Sequence, residues 1–329
     1  MTIVLQLPAQ APNPSKLTLL QMVQQACSEV GLSIPFTIFG NSDQQVIQLL
    51  SLAQREGYET YKMATRDYGW QALRREYTFP VQSTGLMFVS YTAGSALITI
   101  TTPGTQPPQV GWVISNSGGS NSTDFPYPTK VVQVIDSTHF VVNQVAANSN
   151  SNIEMAVGQE AYAMPFDVDK LIPSTMWDRS YRWQILGPLT PAQWQVLLSG
   201  LQPAGPRRRF RIMNDQFVIN PVPYDSNELV YEYYSCNWCM NSSYQTQPRW
   251  TSDTDTYLLD DDTFILGLKW RFRRAKGLDY DQEWQDWDRS IDRYKANQAT
   301  STNISINSSA PGFRLLEPNN VPDTGFGVP

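Results

Sequence analysis

A long stretch of the chain carries almost no charge, and it limits the folds open to the whole sequence. Between residues 84 and 152 the only charged residues are Asp124, Lys130 and Asp136, while Ser, Thr, Gly, Asn and Pro dominate. Turn-forming residues separate four β-type runs within this stretch: 96–101, 111–115, 130–135 and 138–145. We therefore predict a small all-β module at 84–157 that is inserted into a host domain.

Amphipathic helices are predicted on both sides of this module. The first runs from Thr18 to Val30. A second starts at Ser42, whose hydroxyl can cap it, and Gly57 is expected to end it. Another begins at Thr190, because the next residue is a proline, which is favoured in the first turn of a helix.

The segment from Asp260 to Asn297 has apolar residues at helical spacing along its length: Ile265, Leu268, Phe272, Ala275, Trp284, Trp287, Ile291 and Tyr294. An unbroken helix here would be about 55 Å long at 1.5 Å per residue. The alternative is two helices hinged at Gly277. A rod of this length is more useful in a ring of subunits than in an isolated globular domain.

Together these patterns predict an α+β protein, mainly a helical-bundle core with a small antiparallel sheet. The sheet would use strands near 70–79, 207–213, 216–220 and 228–236. The predicted organisation is as follows: an N-terminal arm at 1–16, the core at 17–83 and 158–297, the inserted module at 84–157, and an extended tail at 298–329.

Charge and cysteine content exclude several classes of protein. The net charge is -6 and the pI is near 4.9, which disfavours sequence-specific nucleic-acid binding. Three cysteines cannot form a disulfide-stapled scaffold. Neither a signal peptide nor a membrane-spanning segment is expected, so we expect synthesis in a reducing cytoplasm.

Few residues suggest catalysis, and we expect no cofactor and no enzymatic activity. The sole histidine, His139, lies in a β-type run, where a structural role is the usual one. Cys236 and Cys239 have CxxC spacing, but the flanking residues indicate a strand running into a loop. The acidic cluster Asp253–Asp262 could bind a divalent cation, although acids just before a helix more often cap it. Whether the cysteine pair or the acidic cluster binds a metal stays open at this point.

Two arginine clusters are candidates for ion pairs between subunits: Arg207, Arg209, Arg211, Arg271 and Arg274. The alternative is a solvated face paired with nearby acids. In the polar tail, an isolated apolar run is expected to dock on a partner: Phe313, Arg314, Leu315 and Leu316.

Several segments, in this order, resemble the head-to-tail adaptor proteins of short-tailed bacteriophages: Ser42–Leu50, Trp70–Phe79, Pro173–Arg179, Gly187–Thr190, Leu266–Phe272 and Ala275–Tyr280. The resemblance covers about 14–80 and 158–297. Smaller members of that family lack the inserted module.

The resemblance implies a structural protein of the virion. It implies a helical-bundle core that assembles into a ring, commonly of twelve copies, below the portal protein. The tail would dock on the portal at residues 313–316, the opposite face would receive the tail nozzle, and genomic DNA would pass through the channel without sequence-specific contact. The alternatives are another tail-tube or baseplate component, or a hydrolase that degrades the bacterial envelope.

Overall fold

A computed structural model of the chain describes residues 16–64, 69–115, 124–199, 208–222 and 227–298. Within these residues there are one 3-10 turn, Gln71–Leu73, and five α-helices: α1 Leu19–Val30, α2 Gln44–Ala64, α3 Pro191–Leu198, α4 Asp261–Ala275 and α5 Asp281–Gln298. The same residues contain eighteen strands: β1 Arg74–Pro80, β2 Met87–Tyr91, β3 Leu97–Thr102, β4 Val113–Ile114, β5 Val131–Val134, β6 His139–Val142, β7 Asn150–Met155, β8 Val157–Gly158, β9 Ala161–Ala163, β10 Val168–Leu171, β11 Trp177–Asp178, β12 Trp183–Gln184, β13 Arg209–Met213, β14 Gln216–Asn220, β15 Glu228–Ser235, β16 Cys239–Met240, β17 Thr246–Gln247 and β18 Thr256–Tyr257. None of the described helices combines the length and the apolar character needed to cross a membrane.

The described residues form many antiparallel strands in five sheets and only five α-helices, so the predicted helical-bundle core with a small sheet is wrong. The described strands form five antiparallel sheets. The helical stripes are a strong local signal, whereas eight of these eighteen strands have only two or three residues, too few to show alternation. Pairing between distant segments, such as β1 with β15, also cannot be predicted from a short stretch of sequence.

Strand β15 lies at the centre of the first sheet. On one side it pairs with β1 along all but its last residue, from Glu228 opposite Pro80 to Tyr234 opposite Arg74. On the other side, β11 pairs with its first residues and β10 with its last. The buried ring of Tyr231, in the middle of the strand, packs on aromatic rings of neighbouring strands. The two ends of one well-packed strand therefore support two different loops.

A second sheet has the order β13–β14–β9 and packs against α3. Asn214 and Asp215 connect β13 to β14, and both have a positive φ, which suits the turn of a tight hairpin. The prediction of α3 is confirmed, because the Thr190 side chain accepts a hydrogen bond from the Gln193 amide and Pro191 opens the helix.

Residues 87–155 contribute a five-stranded sheet with the order β5–β6–β3–β2–β7. It has its own hydrophobic cluster, in which Val89, Ile98 and Phe140 are fully buried. One buried carboxylate, Asp124, accepts hydrogen bonds from the Tyr91 hydroxyl at 2.7 Å and from neighbouring asparagine amides. This stretch, which has few charged residues, therefore forms a sheet with an apolar cluster of its own.

Helix α1 begins as predicted, with a capping box at Thr18. Helix α2 begins at Gln44, and the cap is the Asp43 carboxylate, which accepts from the Gln45 amide at 2.9 Å, so the predicted cap at Ser42 is wrong. The helix also continues through Gly57. A Cβ atom there would lie 2.3 Å from the Trp238 ring, so the glycine allows a close contact between helix and indole instead of ending the helix.

The C-terminal helical pattern forms two helices, α4 and α5, with Gly277 (φ 69°) between them. The second of the two predicted alternatives is therefore the right one. Helix α5 packs on α4 through the buried side chains of Trp287 and Ile291, while Trp284 is 44% exposed.

A buried ion pair joins α2, α4 and α5. Glu56 of α2 is fully buried and pairs with Arg271 of α4. Its carboxylate also accepts hydrogen bonds from the Trp287 indole N–H at 2.8 Å and from the Thr60 hydroxyl at 2.9 Å. A Cβ atom on Gly267 would meet this carboxylate at 2.1 Å, so the glycine provides the space that Glu56 occupies.

Candidate assembly surface

Two aromatic rings are exposed on the hairpin that joins β11 to β12, here called the aromatic hairpin (residues 179–183). Tyr181 is 39% and Trp183 is 42% exposed, and their rings lie nearly parallel with centroids 5.5 Å apart. Arg182 between them has a positive φ of 57° and is exposed. Tyrosine, tryptophan and arginine are the residues most enriched in the energetic centres of protein interfaces.

A buried carboxylate holds the aromatic hairpin in place. Asp178 is 3% exposed, and one of its oxygens accepts from the amides of Ser180 and Tyr181, both at 3.0 Å. Its other oxygen pairs with the guanidinium of Arg208 and accepts from the side-chain amide of Asn227 at 3.2 Å. These contacts hold the backbone of the hairpin in one conformation. A preorganised surface loses less conformational entropy when it binds a partner.

A second exposed ring belongs to the segment between β9 and β10, here called the Phe166 loop (residues 165–168). Phe166 is 90% exposed, whereas the next residue, Asp167, is buried. The Asp167 carboxylate accepts from the hydroxyls of Tyr233 at 2.9 Å and Ser235 at 2.7 Å. Its carbonyl accepts from the Cys236 amide at 2.8 Å. A fixed backbone thus presents a fully solvated phenyl ring.

The aromatic hairpin and the Phe166 loop lie at opposite ends of β15. The hairpin is bound to the first residue of the strand, because the Glu228 amide donates to the Ser180 hydroxyl and the Arg179 amide donates to the Glu228 carbonyl. The Phe166 loop is bound to the last residue, Ser235. At 3.3 Å per residue the two ends are about 23 Å apart.

A third exposed apolar group lies in the connection between α1 and α2, here called the Phe36 loop (residues 32–43). Phe36 is 93% and Ile34 is 60% exposed. The Asp253 carboxylate fixes the backbone beside them by accepting from the Ile38 amide at 3.1 Å and the Phe39 amide at 3.0 Å. Asp253 also accepts from the hydroxyl of Thr37 at 2.6 Å.

Replacing Asp253 by Ala is expected to loosen the Phe36 loop. Three hydrogen bonds to one carboxylate are lost, so the free energy of unfolding should fall by about 1–3 kcal/mol. Hydrogen exchange should accelerate at the Ile38 and Phe39 amides. The matched control is Asp262→Ala, an exposed acid in the first turn of α4, which should leave those amides as slow as in the wild type. Unchanged exchange in Asp253→Ala would contradict the proposed role.

The other carboxylates of the predicted acidic cluster also have structural partners. Asp255 accepts from the Thr251 and Ser252 amides at 2.6 and 2.9 Å. Asp260 caps α4 by accepting from the Thr263 amide at 2.9 Å, as the capping interpretation predicted, and Asp261 accepts from the Leu17 amide at 2.9 Å. Among the described residues, no group of three or more His, Cys, Asp or Glu side chains could hold a metal ion.

The arginine candidates lie in different settings. Arg209 and Arg211 share one face of β13, and Arg211 lies over the Trp194 ring at 4.6 Å. Arg271 is 5% exposed and pairs within the chain with Glu56 and Glu59. Arg274 is exposed near the Trp270 ring. The remaining candidates, Arg207, Phe313, Arg314, Leu315 and Leu316, lie outside the described residues, so their roles stay predictions.

The CxxC pair lies where β15 ends and β16 begins, as the flanking residues suggested, and not at the start of a helix. Both thiols are free, and burial raises the pKa of Cys236 and of Cys239, which lowers their reactivity. His139 is the first residue of β6, where its Nδ1 lies 3.1 Å from a carboxylate oxygen of Asp136. Hydrogen bonds from Thr138, and a further one from His139, lower the pKa of Asp136 to about 2.

Sequence reasoning missed all three exposed aromatic sites. Exposure depends on which residues cover a side chain, and local periodicity does not report it. One signal was present: within five positions, residues 179–183 contain arginine, tyrosine and tryptophan, the three residue types most enriched in the energetic centres of interfaces.

A scan against protein-family models found no match for this chain, and a search of curated proteins found none either.

Proposed function

We propose that this chain is a structural subunit of a bacteriophage virion, a head-to-tail adaptor that forms a ring between the portal and the tail. The observation that supports it most is the set of solvated aromatic side chains on backbones fixed by aspartate side chains. Phe36 and Phe166 are each at least 90% exposed, and contact between an apolar ring and water is unfavourable. Burial of these rings against a partner would therefore lower the free energy. The order of sequence segments that resemble adaptor proteins favours this assembly over others.

The adaptor role needs a channel for DNA and contacts on two sides. The net charge of -6 suits a channel wall that repels phosphate, so that DNA can slide through without being held. Exposed aromatic groups on three separate loops suit a subunit that has several neighbours. The helical-bundle core that the resemblance implied is not part of this proposal, because the described core is mainly sheet.

The experiment that tests the function is removal of the protein from the phage that encodes it. We expect full heads without tails, because the adaptor joins the two, and we expect the protein supplied in trans to restore infectious particles. Cross-linking of intact virions, read by mass spectrometry, should link this chain both to the portal and to a tail protein. Tailed, infectious particles without it would overturn the proposal, and cross-links to tail proteins alone would replace it with a tail-tube or baseplate role.

A further inference from the structure

We infer that the five-stranded sheet of residues 87–155 carries a binding site for a neutral carbohydrate. The site is a cavity of about 420 Å³ over β2, β3 and β7. This volume falls in the range of about 300–1,000 Å³ that is typical of small-ligand pockets. The cavity, here called the hydroxyl pocket, is lined by residues 90–92, 95, 97, 99 and 149–151.

The lining of the hydroxyl pocket is polar and uncharged. Eight of its nine residues carry a hydroxyl or an amide side chain, the ninth is Leu97, and none is charged. Without a cation the pocket does not select an anionic ligand, and with one aliphatic side chain it does not select an apolar ligand. Hydroxyl and amide groups both donate and accept hydrogen bonds, so they match a ligand that is covered with hydroxyl groups. The Leu97 side chain, 40% exposed, can pack on the C–H face of a sugar ring.

Backbone amides hold two serine hydroxyls of the pocket in fixed positions. Ser149 Oγ accepts from the Ala93 amide at 2.8 Å, and Ser95 Oγ accepts from the Leu97 amide at 3.1 Å. A hydroxyl that accepts a backbone hydrogen bond keeps its own hydrogen, so it can still donate to a ligand. Groups that are already ordered lose less entropy when a ligand binds.

The buried Asp124 carboxylate fixes the base of the pocket. One of its oxygens accepts from the Asn148 side-chain amide at 2.7 Å. The other accepts from the Tyr91 hydroxyl at 2.7 Å and from the side-chain amide of Asn150. Both oxygens are therefore occupied, and a cation in the pocket would have to displace one of these donors. Because the Asn150 amide nitrogen faces Asp124, its carbonyl oxygen is turned away from that carboxylate and can accept from a ligand hydroxyl.

The hydroxyl pocket lies at one end of β2 and β7. The chain enters the sheet at Met87 and leaves it at Met155, and these two residues pair at the other end of the same strands. The turn between β2 and β3 borders the pocket and is fixed by two hydrogen bonds of 2.9 Å, from the Gly94 amide to the Ala146 carbonyl and from the Ala146 amide to the Ser95 carbonyl. The pocket is open toward solvent, so one unit of a longer sugar chain can occupy it as well as a free sugar.

Ligand-detected NMR on the full chain, by saturation transfer from protein to sugar, tests the site. The probes are the methyl glycosides of glucose, galactose, mannose and N-acetylglucosamine, and linear oligosaccharides built from the same sugars. We expect one sugar to respond more strongly than its epimers, because fixed hydroxyl groups recognise the arrangement of the hydroxyls on the ring. The dissociation constant of a single sugar unit should be on the order of 1 mM, since the pocket is open and makes few contacts. Tighter binding of the oligosaccharide would identify a sugar chain as the ligand, and equal affinity would identify a single sugar.

Two matched pairs of variants locate the binding. Ser151→Trp places a large side chain in the pocket and should abolish saturation transfer, whereas Ser137→Trp, at an exposed position outside the pocket, should leave it unchanged. Thr99→Val removes one hydroxyl from the pocket and should weaken binding about 3- to 10-fold. Thr102→Val, on the same strand and outside the pocket, should bind like the wild type. Thermal unfolding would verify that all four variants are folded.

Three results would overturn the carbohydrate site. They are the absence of saturation transfer to every sugar, an equal response from all epimers, and wild-type binding by a folded Ser151→Trp protein. None of them touches the adaptor role, which the phage lacking this protein tests separately.

Discussion

Replacing Arg271 by Met is expected to lower the free energy of unfolding by about 3–5 kcal/mol. The substitution leaves the fully buried Glu56 carboxylate without its cation. Burial raises the pKa of Glu56, and Arg271 is the main group that opposes this effect. Removing the guanidinium therefore forces the carboxyl group to take up a proton or to admit water between α2, α4 and α5.

Chemical denaturation monitored by tryptophan fluorescence would measure this loss, because Trp287 donates to the same carboxylate. Arg274→Met is the matched control, since Arg274 is exposed on the same helix, and its effect should stay below about 1 kcal/mol. A double variant, Glu56→Leu with Arg271→Met, should recover much of the stability, because an apolar pair of similar volume avoids the buried charge. Equal stability of Arg271→Met and the wild type would contradict the role given to this pair.

Replacing Asp178 by Ala is expected to reduce both stability and assembly. Arg208 is 8% exposed and would be left buried without its carboxylate, which should cost about 3–5 kcal/mol of the free energy of unfolding. The amides of Ser180 and Tyr181 would lose their common acceptor, so the aromatic hairpin should become mobile. Self-association should then weaken even at temperatures where the fold persists.

Calorimetry would measure the loss of stability, and sedimentation velocity below the unfolding transition would measure the loss of assembly. The control is Arg179→Ala, which removes an exposed pair with Glu76 in the same hairpin and should change stability by at most about 1 kcal/mol. Wild-type assembly by a folded Asp178→Ala protein would show that a rigid hairpin is not needed.

Sequence signals confined to a few adjacent residues were sufficient to predict part of the fold. The apolar stripe that follows Thr18 and the proline after Thr190 are local signals, so the starts of α1 and α3 could be predicted from the sequence, whereas the break at Gly277 was one of two alternatives that the sequence left open. Gly57 shows the limit of such signals. A glycine at the end of an apolar stripe normally ends a helix, but here Trp238, a residue far along the chain, packs on it and the helix continues.

The sequence by itself determined the amphipathic helices and the weakly charged β-rich stretch, because both depend on hydrophobic periodicity and local backbone preferences. Only the tertiary structure decided that the core is mainly sheet, since β1 pairs with β15, a strand far along the chain. It also decided which groups remain exposed. Arg271, which the sequence suggested for contacts between subunits, is buried against Glu56, while Phe166, which no local pattern marked, is solvated. Burial is a property of the whole packing arrangement, and for that reason the candidate assembly surface became visible only in the folded chain.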